Sequence, residues 1–360
     1  MQIKNDRIYT LELLRFVAAF TIFFGHYVHF YMYFSIPQQS GVFYSWNNPY
    51  GSLAVPMFFM MSGAIFVHTY FDKIYSCELG FIRFMQRRFA RLYPLHLLTL
   101  IIVVVFQEIL FSTNRTYFIY QYNDIKHFFL NLFFISHWGF EDGHSFNAPI
   151  WSVSHEIVLY ILFFAACLFS RFISVQGRLF FLACIVMALL QHLTKNLLAK
   201  SAFAFFVGAA IYFVLTAIPS TGRWGKVFWL ALIVTILLLL NHLFSKHGLP
   251  YGATGPILLV SCLTFDSVIR LEASSWFCKI SIFLGNISYS SYLTHFPVQL
   301  FFLLFSLLIV KLDFASTPVL LAYVLTVMSI SVLSYRFFEN PMKFRLSKHN
   351  FIIPYNKSKQ

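Results

Sequence analysis

Charge is what this sequence has least of. Only 11% of its 360 residues are Asp, Glu, Lys or Arg, against roughly a quarter in an ordinary soluble domain. Acidic groups are the scarcer sign, 13 against 26 Lys and Arg. Cysteine is sparse too, with five residues at positions 77, 167, 184, 262 and 278. No two have metal or redox spacing and four lie in or beside apolar runs, so neither a disulfide framework nor a zinc site is expected. The chain has no P-loop, no GxGxxG and no GxSxG, which removes the usual nucleotide-binding and nucleophile-elbow signatures. Long linkers, low-complexity tracts and clear internal repeats are absent as well. So is a cleavable signal: the first apolar run is too long for a signal h-region and reads as a retained span.

Apolar residues are what the chain has instead. They make up 59% of it, with 47 phenylalanines. A soluble core cannot hide that much apolar surface, which excludes a globular cytosolic enzyme, and a disordered chain is excluded with it. Runs long enough to cross a bilayer fall near 10–34, 51–71, 91–112, 151–169, 178–194, 199–217, 226–244, 251–269, 288–310 and 316–338. The expected fold is therefore all-α and polytopic, with about ten transmembrane helices. The run at 125–138 is short and broken by His127, Asn131 and His137. It reads as a re-entrant or interfacial helix, or as an eleventh span. One membrane domain over 1–345 and a cytoplasmic tail over 346–360 are expected.

The net charge of +13 would point to nucleic acid in a soluble chain. Here the basic residues sit in short loops between apolar runs, so no nucleic-acid partner is expected. Nineteen of the 26 share a side with the N-terminus and six lie opposite, with Arg15 inside the first run. By the positive-inside rule both termini are expected in the cytoplasm. The larger outer segments, 113–150 and 35–50, are rich in Tyr, Trp, Asn and Gly, as a surface for a polar ligand would be.

An ionisable side chain at mid-membrane costs at least about 2.5 kcal/mol on insertion scales, which makes each one a functional candidate. The first run holds Glu12, Arg15, His26 and His29. Arg15 and His26 are eleven residues apart, which returns to nearly the same helix face roughly 16 Å further along. Arg88 and Arg91, in RRFARLYP, share a face three residues apart, and paired guanidinium forks suit phosphate oxygens. His155 and Glu156, in WSVSHEIVLY, lie about one turn inside the fourth run. His295, in ISYSSYLTHFP, lies inside the ninth. His137 and Asp142 form an H-x4-D pattern, discounted because it falls in an outer loop. HEIVLY is not a zinc motif, since Leu159 stands where a second His would be.

Taken together, these pieces resemble the acyltransferase-3 family of integral membrane acyltransferases. The matches are Arg15-x10-His26, FFMMSG at 58–63 with Ser62 in it, and Arg88-x-x-Arg91 followed by Pro94. Trp151, Glu156 and Tyr160, then Tyr289, Tyr292 and His295-x-Pro297, and finally SYRFFENP at 334–341, follow in the family's order. The resemblance runs from about residue 8 to 343. With nothing after Gln360, the form without an additional outer domain is expected.

The resemblance implies transfer of an acyl group, usually acetyl, from cytosolic acyl-CoA to a hydroxyl of a surface glycan such as an O-antigen or exopolysaccharide. The bacterial inner membrane is the implied location. Arg88 and Arg91 would hold the donor's phosphates and Arg15 would flank its pantetheine arm. His26 would act as base or as acyl relay. Glu156 would orient His26 or stabilise its imidazolium. Trp151, Tyr292, His295 and Ser62 would support the site, with acetyl-CoA as donor and no metal. A proton-coupled transporter would also use buried His, Glu and Arg. A second class of membrane O-acyltransferase would centre on His295 instead.

Overall fold

The computed structural model describes residues 7–37, 51–147, 149–173, 178–217, 254–269 and 275–348. Every regular element among them is helical. They are α1 (Tyr9–Gly25), α2 (Val28–Tyr33), α3 (Gly51–Phe66), α4 (Asp72–Tyr75), α5 (Phe81–Asn114), α6 (Ile125–Leu132), α7 (Ile150–Phe172), α8 (Arg178–Thr194), α9 (Leu197–Ala217), α10 (Thr254–Ile269), α11 (Trp276–Leu308), α12 (Thr317–Ser334) and α13 (Asn340–Lys348). One-turn π segments, Val67–Phe71 and Tyr335–Glu339, join α3 to α4 and α12 to α13.

Seven helical stretches are long and apolar enough to cross a bilayer: Tyr9–Tyr33, Leu53–Tyr75, Phe81–Asn114, Ile150–Phe172, Leu197–Thr216, Trp276–Leu308 and Thr317–Ser347. Two shorter apolar helices, Leu182–Thr194 and Gly255–Asp266, lie between them. The chain is thus a multi-pass helical membrane protein, with seven such spans among the described residues where ten or eleven were expected. The expected span at 226–244 lies outside those residues, as do 38–50 and most of the tail. The run at 125–138 folds as the eight-residue helix α6, far too short to cross, so it is not an eleventh span. Asp124 starts it by accepting from the His127 backbone N–H at 2.9 Å. Helix α13 runs through the expected domain boundary at residue 345.

Helix α11 is the axis of the bundle. Its most apolar stretch is 78% buried, against 22% for the span beginning at Thr317. It runs parallel to α1: Gly285 meets Glu12 near one end and His295 meets His26 further along. We call the end with Tyr9, Phe81 and Trp276 proximal, and the end with Tyr33, Asn114 and Ile150 distal. Two aromatic cores follow that division. Phe66, Phe84, Tyr160, Phe163 and Phe205 pack in the proximal one, and Phe23, Tyr27, Phe30, Phe118, Phe314 and Tyr323 in the distal one.

Lipid tails are as apolar as leucine, so close packing of small residues rather than water exclusion draws such helices together. Helices α3 and α9 show this directly. Gly63 lies against the Phe205 carbonyl and Gly208 against the Met60 carbonyl, so backbone meets backbone where a side chain would hold the helices apart. Apolar side chains that face away from the bundle, such as Ile101, Val105, Ile109, Phe301 and Leu325, are the surface offered to lipid.

Candidate active site

Two neighbouring cavities beside α11 share the walls Val55, Phe59 and Tyr292. The proximal one is narrow, about 90 Å³, and is lined by Arg15, Arg88 and Arg91 with Glu156, Ser62 and Tyr289. Five helices bring these groups together. Helix α1 supplies Arg15, α5 the two other arginines, α7 Glu156, α3 Ser62 and α11 Tyr289.

Arg88 is the best anchored of the three. It is 8% exposed. Its Nη2 donates to the Tyr160 hydroxyl at 3.1 Å and its Nη1 to the Tyr70 hydroxyl at 3.4 Å. The guanidinium also lies 4.7 Å from the Phe66 ring centre and 4.8 Å from that of Tyr160. The Nε is buried without a partner. Arg15 pairs with Glu12 at 3.2 Å one turn away. Arg91 makes no hydrogen bond or ion pair with any described residue. A cavity with three guanidiniums and one carboxylate on its walls is electropositive, and one unused fork faces it.

The distal cavity is wider, about 400 Å³, and its walls mix rings with polar tips: His26, Tyr120, His144, Trp151, Lys200, Ser201 and Tyr292. His26 reaches it because the first span breaks there. Helix α1 ends at Gly25 and α2 resumes at Val28, with three-residue hydrogen bonds from Tyr27 to Phe24 and from His29 to His26 tightening the turn. Short 3₁₀ stretches inside a helix often mark functional sites. His26 Nδ1 lies 2.9 Å from His295 Nε2. The His29 ring stacks on it at 4.8 Å. Gln299 Nε2 donates to the His26 carbonyl at 2.6 Å, and its Oε1 lies 3.1 Å from His29 Nδ1.

The expected residues therefore fall into two groups. Arg15, Arg88, Arg91, Glu156 and Ser62 line the proximal cavity, where Ser62 donates to Glu156 at 3.2 Å. His26 and Trp151 line the distal one, Tyr292 lines both, and His295 backs His26. The expected partnership of His26 with Glu156 is not the arrangement found. His26 takes His295 as its partner, and Glu156 faces the arginines. His155 turns elsewhere, its Nδ1 3.0 Å from Ser201 Oγ. Tyr292 shares a 2.6 Å hydrogen bond with Ser152. The sequence reading assigns no role to His29 or Gln299. A buried amide four residues after His295, in FPVQLFF, was the available signal. Among the described residues no three His, Cys, Asp or Glu side chains group as metal ligands would.

The segment between α5 and α7 covers the distal end. Its H-x4-D spacing does not make a pair: His137 Nδ1 lies 3.6 Å from Glu141, while Asp142 binds Lys126 at 2.7 Å. His144 Nδ1 lies 3.0 Å from His137 Nε2. Burial pushes the His137 imidazole down to about 4, helped by its neighbour His144, and burial lowers His144 too. Both rings are neutral at pH 7. The Asp124 carboxyl is held below its usual range by hydrogen bonds from His127, against a burial effect that would raise it.

This arrangement is that of an integral membrane protein with a histidine pair and a buried cationic pocket in its core. The chain belongs to the acyltransferase-3 family: the family's acyltransferase domain matches residues 8–336, nearly all of it. Over 159 residues, 44% of this chain, it is 31% identical to the acyltransferase MdmB of Streptomyces mycarofaciens. Over 106 residues, 29% of the chain, it is 32% identical to protein 2 in the picA locus of Rhizobium radiobacter. The matched stretches cover 38% and 48% of those two proteins' own lengths. No solved structure matches the chain. The chain thus carries that family's acyltransferase domain and spans less than half the length of either of these curated relatives.

Proposed function

We propose that the protein transfers an acyl group, acetyl in the first instance, from cytosolic acyl-CoA to a hydroxyl of an extracytoplasmic glycan. In this reading the proximal end of the bundle faces the cytoplasm and the protein sits in a bacterial inner membrane. The charge asymmetry of the loops supports that orientation. The observation that carries the reading is the position of His26. It lines the wide distal cavity, and His295 behind it also approaches Tyr292, whose ring belongs to both cavities. A donor held from the arginine side and an acceptor arriving from the other would meet at this wall.

The residues fit those two ligands. Arg91 and the unpartnered Arg88 Nε offer donors to phosphate or carbonyl oxygens in a buried site. Trp151 and Tyr120 give the distal cavity flat apolar faces for a sugar ring. The acceptor hydroxyl gives its proton to His26 as its oxygen bonds to the thioester carbonyl carbon. The carbon–sulfur bond then breaks, and the imidazolium returns the proton to the departing thiolate. Glu156 moderates the charge of the arginine pocket.

Mass spectrometry of surface glycans from cells with and without the gene tests the proposal and reads the acyl group from the mass difference. His26→Ala, inserted at normal levels, is expected to match the deletion. Normal acylation in that variant would refute the role of His26, and identical glycans in the two strains would refute the acceptor class.

A further inference from the structure

We infer that His295 and Gln299 are positioning residues that hold His26 in one tautomer, with hydrogen on Nδ1 and a bare lone pair on Nε2 facing the distal cavity. The inference rests on the reading of His26 as the reacting group and adds which of its atoms reacts and what fixes it.

Acceptor-only groups decide the proton positions. His295 is fully buried. Its Nδ1 is buried without a hydrogen bond, and the backbone groups acting on the ring are those of Ser291 and Tyr292, one turn back on its own helix; with Nε2 taken up by His26, we assign Nδ1 to their carbonyls. Carbonyls only accept, and a bare ring nitrogen aimed at them would set lone pair against lone pair in a buried site. The Nδ1 of His295 therefore carries its hydrogen, and its Nε2 is the acceptor. The 2.9 Å contact with His26 then has one polarity: His26 Nδ1–H donates to His295 Nε2. That leaves His26 Nε2 as the basic atom.

Gln299 repeats the logic one turn along α11. Its amide is fully buried, and the end that meets the His26 carbonyl at 2.6 Å must be the NH₂ end. Its oxygen is then the end 3.1 Å from His29 Nδ1, so His29 also carries hydrogen there. The His26 backbone is thus tied at the break between α1 and α2, its ring is stacked on His29, and its Nδ1 is engaged. One nitrogen remains, on a ring that lines the distal cavity.

The test uses the full-length protein in lipid nanodiscs, with ¹⁵N-labelled histidine. The His26 resonances are identified by their loss in His26→Ala. The unmodified protein is expected to show His26 protonated at Nδ1. Hydrogen on Nε2 would overturn the proposal whatever any variant does. His295→Leu, which cannot accept, is expected to release the tautomer toward a mixture. It should lower kcat about 10- to 100-fold, part of what a general base contributes, with the KM for acetyl-CoA within about twofold of the unmodified value. His295→Gln, whose amide oxygen can accept, is expected to keep the Nδ1–H form and recover most of the turnover. The acceptor used is surface polysaccharide purified from the deletion strain. An unchanged tautomer and turnover in His295→Leu would overturn the proposal, and so would equal losses in His295→Leu and His295→Gln. If His26→Ala stays active while the tautomer is as inferred, the general-base reading fails and the positioning network stands.

Discussion

Replacing Arg88 and Arg91 separately should split one pocket into two kinds of effect. Both line the proximal cavity, but they are held differently. Arg88 makes hydrogen bonds of 3.1 and 3.4 Å to Tyr160 and Tyr70 and lies over the rings of Phe66 and Tyr160. Hydrogen bonds to a charged group contribute about 1.5–3 kcal/mol each, the longer one at the low end, and a desolvated cation–π contact about 2 kcal/mol. Against that stands the several kcal/mol of desolvation a buried guanidinium carries, which Arg88→Met removes. The net expected loss of stability is about 1–3 kcal/mol, since the fully buried Tyr160 hydroxyl loses its donor. Arg91 has no such ties, so Arg91→Ala should change stability by less than about 0.5 kcal/mol. Its loss falls on the donor instead. One charge-assisted contact of about 1.5–3 kcal/mol corresponds to roughly 10- to 150-fold weaker acetyl-CoA binding. Calorimetric titration with acetyl-CoA and thermal unfolding of the same nanodisc samples read the two effects. Unchanged acetyl-CoA affinity in Arg91→Ala would refute the donor-phosphate role of Arg91 and leave it as an orientation charge. A wild-type melting midpoint in Arg88→Met would refute the packing account.

Glu156→Gln should tighten acetyl-CoA binding severalfold at low ionic strength, because it removes the one carboxylate on the walls of the arginine cavity; weaker binding would mean that Glu156 orders the arginines instead. Gly208→Ala should lower stability by about 1–3 kcal/mol, since the new methyl meets the Met60 carbonyl and backbone cannot yield as a side chain can; a melt unchanged from wild type would show that α3 and α9 are not held this closely. The histidines of the distal segment give a pH signature. The folded His137 value of about 4 lies below the ordinary 6.5, and His144 is lowered too, so folding is favoured fully above pH 6.5 and loses that contribution as pH falls toward 4. Asp124, also lowered, acts only below its ordinary 3.8 and does not interfere at pH 5. Limited proteolysis of the segment between α5 and α7 should therefore accelerate from pH 7 to pH 5, and a flat rate would show that these rings are not buried neutral.

Much of the architecture could be read from composition alone. An apolar run long enough to cross lipid has to be helical, because no water is there to satisfy its backbone. The expected run at 151–169 thus becomes α7, Ile150–Phe172, nearly residue for residue. The run expected at 91–112 begins ten residues earlier in the structure, because α5 continues through RRFARLYP to Phe81. Hydropathy breaks where charges begin, but a helix does not, and Arg88 and Arg91 turn into the proximal cavity. The same reasoning explains α6. Its broken apolar pattern fitted a partial span, but eight residues make only about 12 Å of helix.

The site was legible as a set of residues and not as a set of partners. Depth in the membrane can be counted along each helix, and that count puts His26 and Glu156 at a comparable level. Depth says nothing about azimuth. Two groups at one level meet only if their helices turn the right faces to each other, and α7 turns Glu156 toward Ser62 and the arginines. Azimuth was recoverable on α11, where Ser291, His295 and Gln299 recur at four-residue spacing and form a polar stripe along one face of the helix. Such a stripe on the most buried helix needs polar company, since each member would otherwise be left unsatisfied in hydrocarbon. The first span offers a matching pair of imidazoles at His26 and His29, three residues apart. Pairing stripe with stripe, instead of base with nearest carboxylate, would have joined His26 to His295 and His29 to Gln299 from the sequence. In a membrane interior the partner of a base is set by which helix carries a continuous polar face, because an isolated carboxylate is as costly there as the base it would serve.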